Sequence, residues 1–119
     1  MKMIVVPGRM DGLNDYTKAC RANKYGGNVV KQRNQNMIVA EILARKLSPV
    51  TKFPCMLSIK WYEPNKKRDV DNITFAVKFI LDALVETGIL PNDSQKYVNK
   101  VEHEVLVDRE NPRIEVEVI

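Results

Sequence analysis

The chain has 119 residues, 45% of them apolar and 29% charged, with 19 Lys/Arg against 15 Asp/Glu, one His and a formal net charge of +4. That size suits a single domain over residues 1–119, able to bury roughly two-thirds of its unfolded surface without disulfides, and the composition excludes a disordered chain. No apolar run is long enough to span a bilayer, Met3–Val6 is too short for the core of a signal peptide, and Cys20 and Cys55 lack metal-ligand spacing; together these predict a cytoplasmic chain with two free thiols.

Residues 1–6 read as a first strand ending at Pro7-Gly8. Residues 8–28 are polar, hold four of the five glycines, and read as a long connection. Connections of that length are commonly functional or mobile. Residues 28–47 read as a helix with Val29, Val30, Met37, Ile38, Ile42, Leu43 and Leu47 as its apolar content. Residues 55–62 read as a strand, broken by Pro64-Asn65. Residues 72–87 give the clearest helix: Ile73, Ala76, Val77, Ile80, Leu81, Leu84 and Val85 keep the i, i+3, i+4 spacing. Asp71 or Asn72 is expected to cap its start and Gly88 its end. A loop at Pro91-Asn92-Asp93 follows, then strands over 97–107 and 113–119, with Asn111-Pro112 as the turn between them. The order β-α-β-α-β-β predicts an α+β fold with a mixed sheet and two main helices.

The charge is unevenly spread. Residues 1–60 carry 11 Lys/Arg and 3 Asp/Glu, a net +8, and residues 61–119 carry 8 and 12, a net −4. A basic half suits a polyanion, because cations gain affinity by displacing counterions from phosphates. A solvated lysine-rich surface accounts for it as well. Arg9, Lys18, Arg21 and Lys24 lie among Tyr16 and Tyr25 in the first connection. Basic loops with interleaved aromatics can contact phosphates and stack on bases. Lys66, Lys67 and Arg68 form a second basic run.

That second run opens Asp69-Val70-Asp71-Asn72 at a strand-to-helix junction. In an extended segment Asp69 and Asp71 point to the same side. Paired carboxylates favour a hard divalent cation such as Mg²⁺, with Mn²⁺ as a substitute. At about 100° per residue, Lys78 returns to within about 20° of Asp71. Asp93 follows the helix and can fold back. Three carboxylates and a lysine beside a basic surface fit metal-dependent phosphodiester hydrolysis. The same residues also fit a helix cap, a surface acid and a Lys78–Asp82 helix pair.

Arg68-Asp69-Val70-Asp71-Asn72, then Asp82-Ala83-Leu84, Gly88 and Asn92-Asp93, resemble the RusA family of Holliday-junction resolvases. Pro7-Gly8 with Leu13-Asn14-Asp15-Tyr16, Arg21 and Asn23 resembles its phage and prophage branch. The resemblance implies a RusA-like fold and a homodimeric, Mg²⁺-dependent endonuclease that nicks four-way DNA junctions symmetrically in recombination and repair. It assigns Asp69, Asp71 and Asp93 to metal binding and catalysis. Lys78 takes the place of the catalytic lysine when the match is anchored on Asp82-Ala83-Leu84. Counted from Asp71, it stands three residues later than in the best-known members. Some members carry two aspartates where this chain has Asn92-Asp93. Lys66, Lys67, Arg68, Arg9, Arg21 and Lys24 are the expected DNA contacts. A non-catalytic junction-binding protein of the same fold is the alternative. A nucleotide phosphohydrolase ranks last, because no Gly-x-x-x-x-Gly-Lys-Ser/Thr pattern is present.

Phe75 and Phe79 fall off the apolar stripe of the second helix and are expected to form a second buried face. Of Trp61 and Tyr62, one belongs to the core by alternation. His103 has no metal-ligating partner and is expected to be structural or exposed.

Overall fold

The computed structural model describes residues 2–119. In chain order the elements are β1 (Lys2–Pro7), α1 (Leu13–Ala22), α2 (Gly26–Arg45), β2 (Cys55–Glu63), α3 (Val70–Thr74), α4 (Val77–Glu86), β3 (Val98–Val107) and β4 (Arg113–Val118). The strands form one mixed sheet in the order β1-β4-β2-β3, with β2–β3 parallel and the other two pairings antiparallel. The expected α+β class and mixed sheet are present, but β3 and β4 do not form a hairpin. β2 lies between them, so the Asn111-Pro112 connection carries the chain across the end of β2. The parallel β2–β3 pair needs a crossover, and α3 and α4 provide it.

The sheet buries one face. Cys55, Leu57, Ile59, Trp61 and Glu63 alternate inward along β2, joined by Ile4 and Val6 of β1 and Val116 of β4. Ile38 and Ile42 of α2 and Phe79, Ile80 and Leu84 of α4 complete the core. Each such side chain contributes about 1.5–3 kcal/mol on burial. Trp61 is the core member of its pair, and its indole N–H donates to His103 Nδ1 at 3.0 Å. Tyr62 points to the other face, where the Arg113 guanidinium lies 3.7 Å from its ring centre.

Two expectations change. The connection over 8–28 contains α1. Its composition is polar because it packs through few side chains, chiefly Tyr16 and Ala19, and buries no residue fully. It turns tightly into α2, and Gly26 permits the turn: a Cβ there would run into the Ala19 carbonyl. The expected helix over 72–87 is two helices. Between them the N–H groups of Ala76, Lys78 and Phe79 bond to the carbonyls three residues back, at Ile73, Phe75 and Ala76. Three residues per turn winds the chain faster than the α-helix does, so α4 starts rotated. That rotation carries Phe79 into the core, where it packs against Phe75 and Tyr16 with ring centres 5.7 and 6.4 Å away. The second buried face expected for these aromatics is thus an interhelical cluster.

Candidate active site

The candidate site begins where β2 ends. Register along β2 turns Glu63 to the core side, and its carboxylate is 5% exposed. A buried carboxylate needs partners, and two arginines supply them. Arg68 donates from Nε to Oε1 at 3.0 Å and from Nη2 to Oε2 at 2.9 Å, and Arg9 Nη2 reaches Oε1 at 2.8 Å. Burial alone would raise the Glu63 pKa, but the hydrogen bonds and charges of Arg68 and Arg9 outweigh it and hold the group below its usual value.

Arg68 also donates from Nη1 to the Met10 carbonyl at 3.1 Å. Four residues on, the side-chain oxygen of Asn72 accepts the Asn14 backbone N–H at 2.9 Å. The two ends of the Arg68–Asn72 segment therefore hold the segment 10–14. Between them, Asp69, Val70 and Asp71 are exposed. Asp69 is the N-cap residue of α3 in extended conformation, yet its side chain makes no capping bond. Neither Asp71 nor Asn72 caps α3 as the sequence suggested; Asn72 serves α1 instead.

Among the described residues, neither Asp69 nor Asp71 has a side-chain hydrogen bond or ion pair. Asp93 is likewise exposed in the loop after α4, and the side-chain oxygen of its neighbour Asn92 accepts the Ser94 N–H at 2.9 Å. The donor chemistry suits a hard cation, since all three groups present uncommitted carboxylate oxygens. Among the described residues, however, no three Asp, Glu, His or Cys side chains stand close enough together to hold a metal ion.

Lys78, in the first turn of α4, is exposed. Its ammonium lies 3.7 Å from Asp82, which Lys31 of α2 also approaches at 3.3 Å. Gln35 and Glu86, 2.6 Å apart, join α2 to α4 beside this ion pair.

The basic residues divide into two sets. Arg9 and Arg68 are committed to Glu63, and Arg33 to Asp11 at 2.7 Å. They line a cleft of about 410 Å³ with Asp11 and Asp15, where opposite charges largely cancel. Lys18, Arg21, Lys24, Lys66 and Lys67 are exposed, and none is ion-paired among the described residues. Lys18 and Arg21 share one face of α1. Lys24 lies 5.5 Å from the ring centre of Tyr25.

The profile of the RusA endodeoxyribonuclease family matches residues 13–119, nearly the whole chain. The chain belongs to the RusA family. The match spans Arg68–Asn72, Asp82-Ala83-Leu84 and Asp93. The family resolves Holliday junctions by endonucleolytic cleavage. No match was found among the curated proteins. Within this RusA-family chain, sequence reasoning missed Glu63 and the Asn72–Asn14 contact. The signal for Glu63 was present: it is the one charged residue at an inward position of β2. Nothing local to Asn72 points to a partner 58 residues away.

Proposed function

We propose that this protein is a Mg²⁺-dependent, structure-selective endonuclease that resolves four-way junctions by paired symmetric nicks, with Mn²⁺ able to substitute. The carrying observation is the division of roles in the family motif: Arg68 and Asn72 hold the fold, while Asp69 and Asp71 between them are exposed and uncommitted. Asp69, Asp71 and Asp93 would hold the cation. Mg²⁺ keeps several waters and takes substrate phosphates as ligands, so one or two carboxylates suffice to recruit it. When bound it would supply a water of lowered pKa and offset charge on the scissile phosphate.

The chain's own groups then have separate tasks. Lys18, Arg21, Lys24, Lys66 and Lys67 contact the DNA backbone, and their freedom from ion pairs supports this. Arg9 and Arg68 border the same surface but act first as partners of Glu63. Lys78 is released toward the leaving oxygen, while Lys31 remains as the partner of Asp82. A homodimer suits the substrate, since two-fold symmetry presents two equivalent sites to two equivalent strands.

The test is Asp71→Asn on synthetic four-way junctions with Mg²⁺, beside matched linear duplex. Junction binding should persist while paired nicking is lost, and Lys78→Ala should slow nicking more than it weakens binding. Undiminished nicking by Asp71→Asn would overturn the reading. The second reading, a junction-binding protein without catalysis, draws on the spacing of the acidic side chains, no three of which are gathered among the described residues. It predicts salt-sensitive junction binding and no metal-dependent nicking by the unaltered protein.

A further inference from the structure

We propose that Asn72 is a positioning residue that fixes the register between the basic face of α1 and the Asp69/Asp71 carboxylates. The proposal rests on the nuclease reading above and concerns how the two halves of that site are aligned.

α1 begins without a side chain to cap it. Its N-cap residue is Gly12, and the only local help is Asp15, whose carboxylate accepts the Gly12 N–H at 2.9 Å. An N-cap side chain would ordinarily accept the N–H of the second or third helical residue. Here the second residue is Asn14, and its N–H is accepted by Asn72 at 2.9 Å. The cap of α1 is thus donated by a residue of α3, one position after Asp71.

Gly12 is part of the same device. A Cβ on Gly12 would lie 2.5 Å from Asn72 Oδ1 and 2.7 Å from the Asn72 carbonyl oxygen. The backbone at Gly12 is ordinary, with φ −89°. Close approach, rather than conformation, demands glycine there.

The consequence for the site follows from helix geometry. Asn14, Lys18 and Arg21 are spaced i, i+4, i+7 and share one face of α1. Arg21 lies about 10 Å along the axis from Asn14, at about 1.5 Å per residue. Asn72 therefore anchors the end of the cationic face nearest the carboxylates. α1 has other attachments, since Tyr16 packs on Phe75 with ring centres 5.3 Å apart. These contacts, with the tight turn at Gly26, hold α1 against the domain, and the hydrogen bond from Asn14 N–H to Asn72 adds a directional constraint at the end of α1 next to Asp71. A misplacement of about 1 Å in a catalytic arrangement can cost about a hundredfold in rate.

The experiment compares Asn72→Ala, Asn72→Asp and Gly12→Ala in the full chain. It measures junction Kd, single-turnover nicking rate with Mg²⁺, and amide exchange at Asn14. Asn72→Ala should keep the junction Kd within threefold, lower the nicking rate at least tenfold, and lose protection at the Asn14 amide. Asn72→Asp keeps an acceptor oxygen at the N-terminus of α1, where negative charge is favoured. It should restore protection and most of the rate. Gly12→Ala leaves Asn72 intact but forces the two segments apart, and should reproduce the rate loss. If Asn72→Asp is as slow as Asn72→Ala, or if Asn14 stays protected in Asn72→Ala, the proposal is overturned. Should the unaltered protein bind junctions without nicking them, the nuclease reading fails. The Asn14 exchange of the three variants still decides whether Asn72 holds α1.

Discussion

Arg68 meets Glu63 with two parallel hydrogen bonds, at 3.0 and 2.9 Å, across only five residues of chain. The pair closes the loop between β2 and α3, and Arg9 completes it from the segment after β1 at 2.8 Å. Bidentate pairing fixes direction as well as distance. It aims the chain leaving Arg68 into Asp69 and Asp71, so a buried ion pair in the fold determines where the exposed carboxylates stand.

Glu63→Ala should be strongly destabilising. Removing one partner of a buried pair leaves the others uncompensated, at a cost of about 3–5 kcal/mol. Arg9 is 37% exposed and can rehydrate, which moves the expectation to the lower end, about 3 kcal/mol. Urea denaturation measures it. A loss below about 1 kcal/mol, the scale of exposed pairs, would show that the arginines find other partners.

The same group sets an acid limb of stability. Burial opposes ionisation of Glu63, but Arg68 and Arg9 prevail and depress its pKa; Asp11 is likewise depressed, with burial outweighed by Arg33 and Asn34. Below the unfolded-state values, about 4.3 for Glu and about 3.9 for Asp, the unfolded chain binds more protons than the folded one. The stabilisation is therefore complete above those values and is lost as pH falls through the depressed folded ones. Thermal melting between pH 7 and pH 2 should show this loss. In a protein carrying Glu63→Gln the acid limb should be shallower.

The free cations and the committed ones should differ in how salt affects them. Lys18→Ala or Arg21→Ala should weaken junction binding and reduce the slope of log K against log[salt] by about 1 for each phosphate contact removed. Arg33→Ala removes a partner of Asp11 and should leave the slope nearly unchanged. Equal effects from all three would mean that the Asp11 pairing opens on binding.

Much of the architecture was legible because it rests on local periodicity. β1, β2 and β4 follow inward alternation and α2 follows helical spacing, and these elements and β3 stand within two residues of the expected bounds. α1 was not legible, since a helix that buries no residue fully leaves little apolar signal. The break after Thr74 was hidden because neither Phe75 nor Ala76 is a helix breaker. The tighter turn accompanies the packing of Phe79 on Tyr16 and Phe75. At the candidate site, Asp69 and Asp71 were visible as the motif's two carboxylates, and both are exposed, but the extended segment expected to align them gives way to α3 at Val70. The Lys78–Asp82 pair was also visible, being local to one helix; the occupations of Arg68 and Asn72 were not, because each depends on a contact made only after the chain has folded.

Glu63 ends the inward row of a strand that lies between β4 and β3. Side chains alternate along a strand, so a slip of one residue in β2 would turn Glu63 to the opposite face. Both arginine pairs would break, Arg68 would release Met10, and the segment bearing Asp69 and Asp71 would lose its direction. The candidate site thus acts as a checksum on the sheet: it assembles only in molecules whose central strand has folded in register.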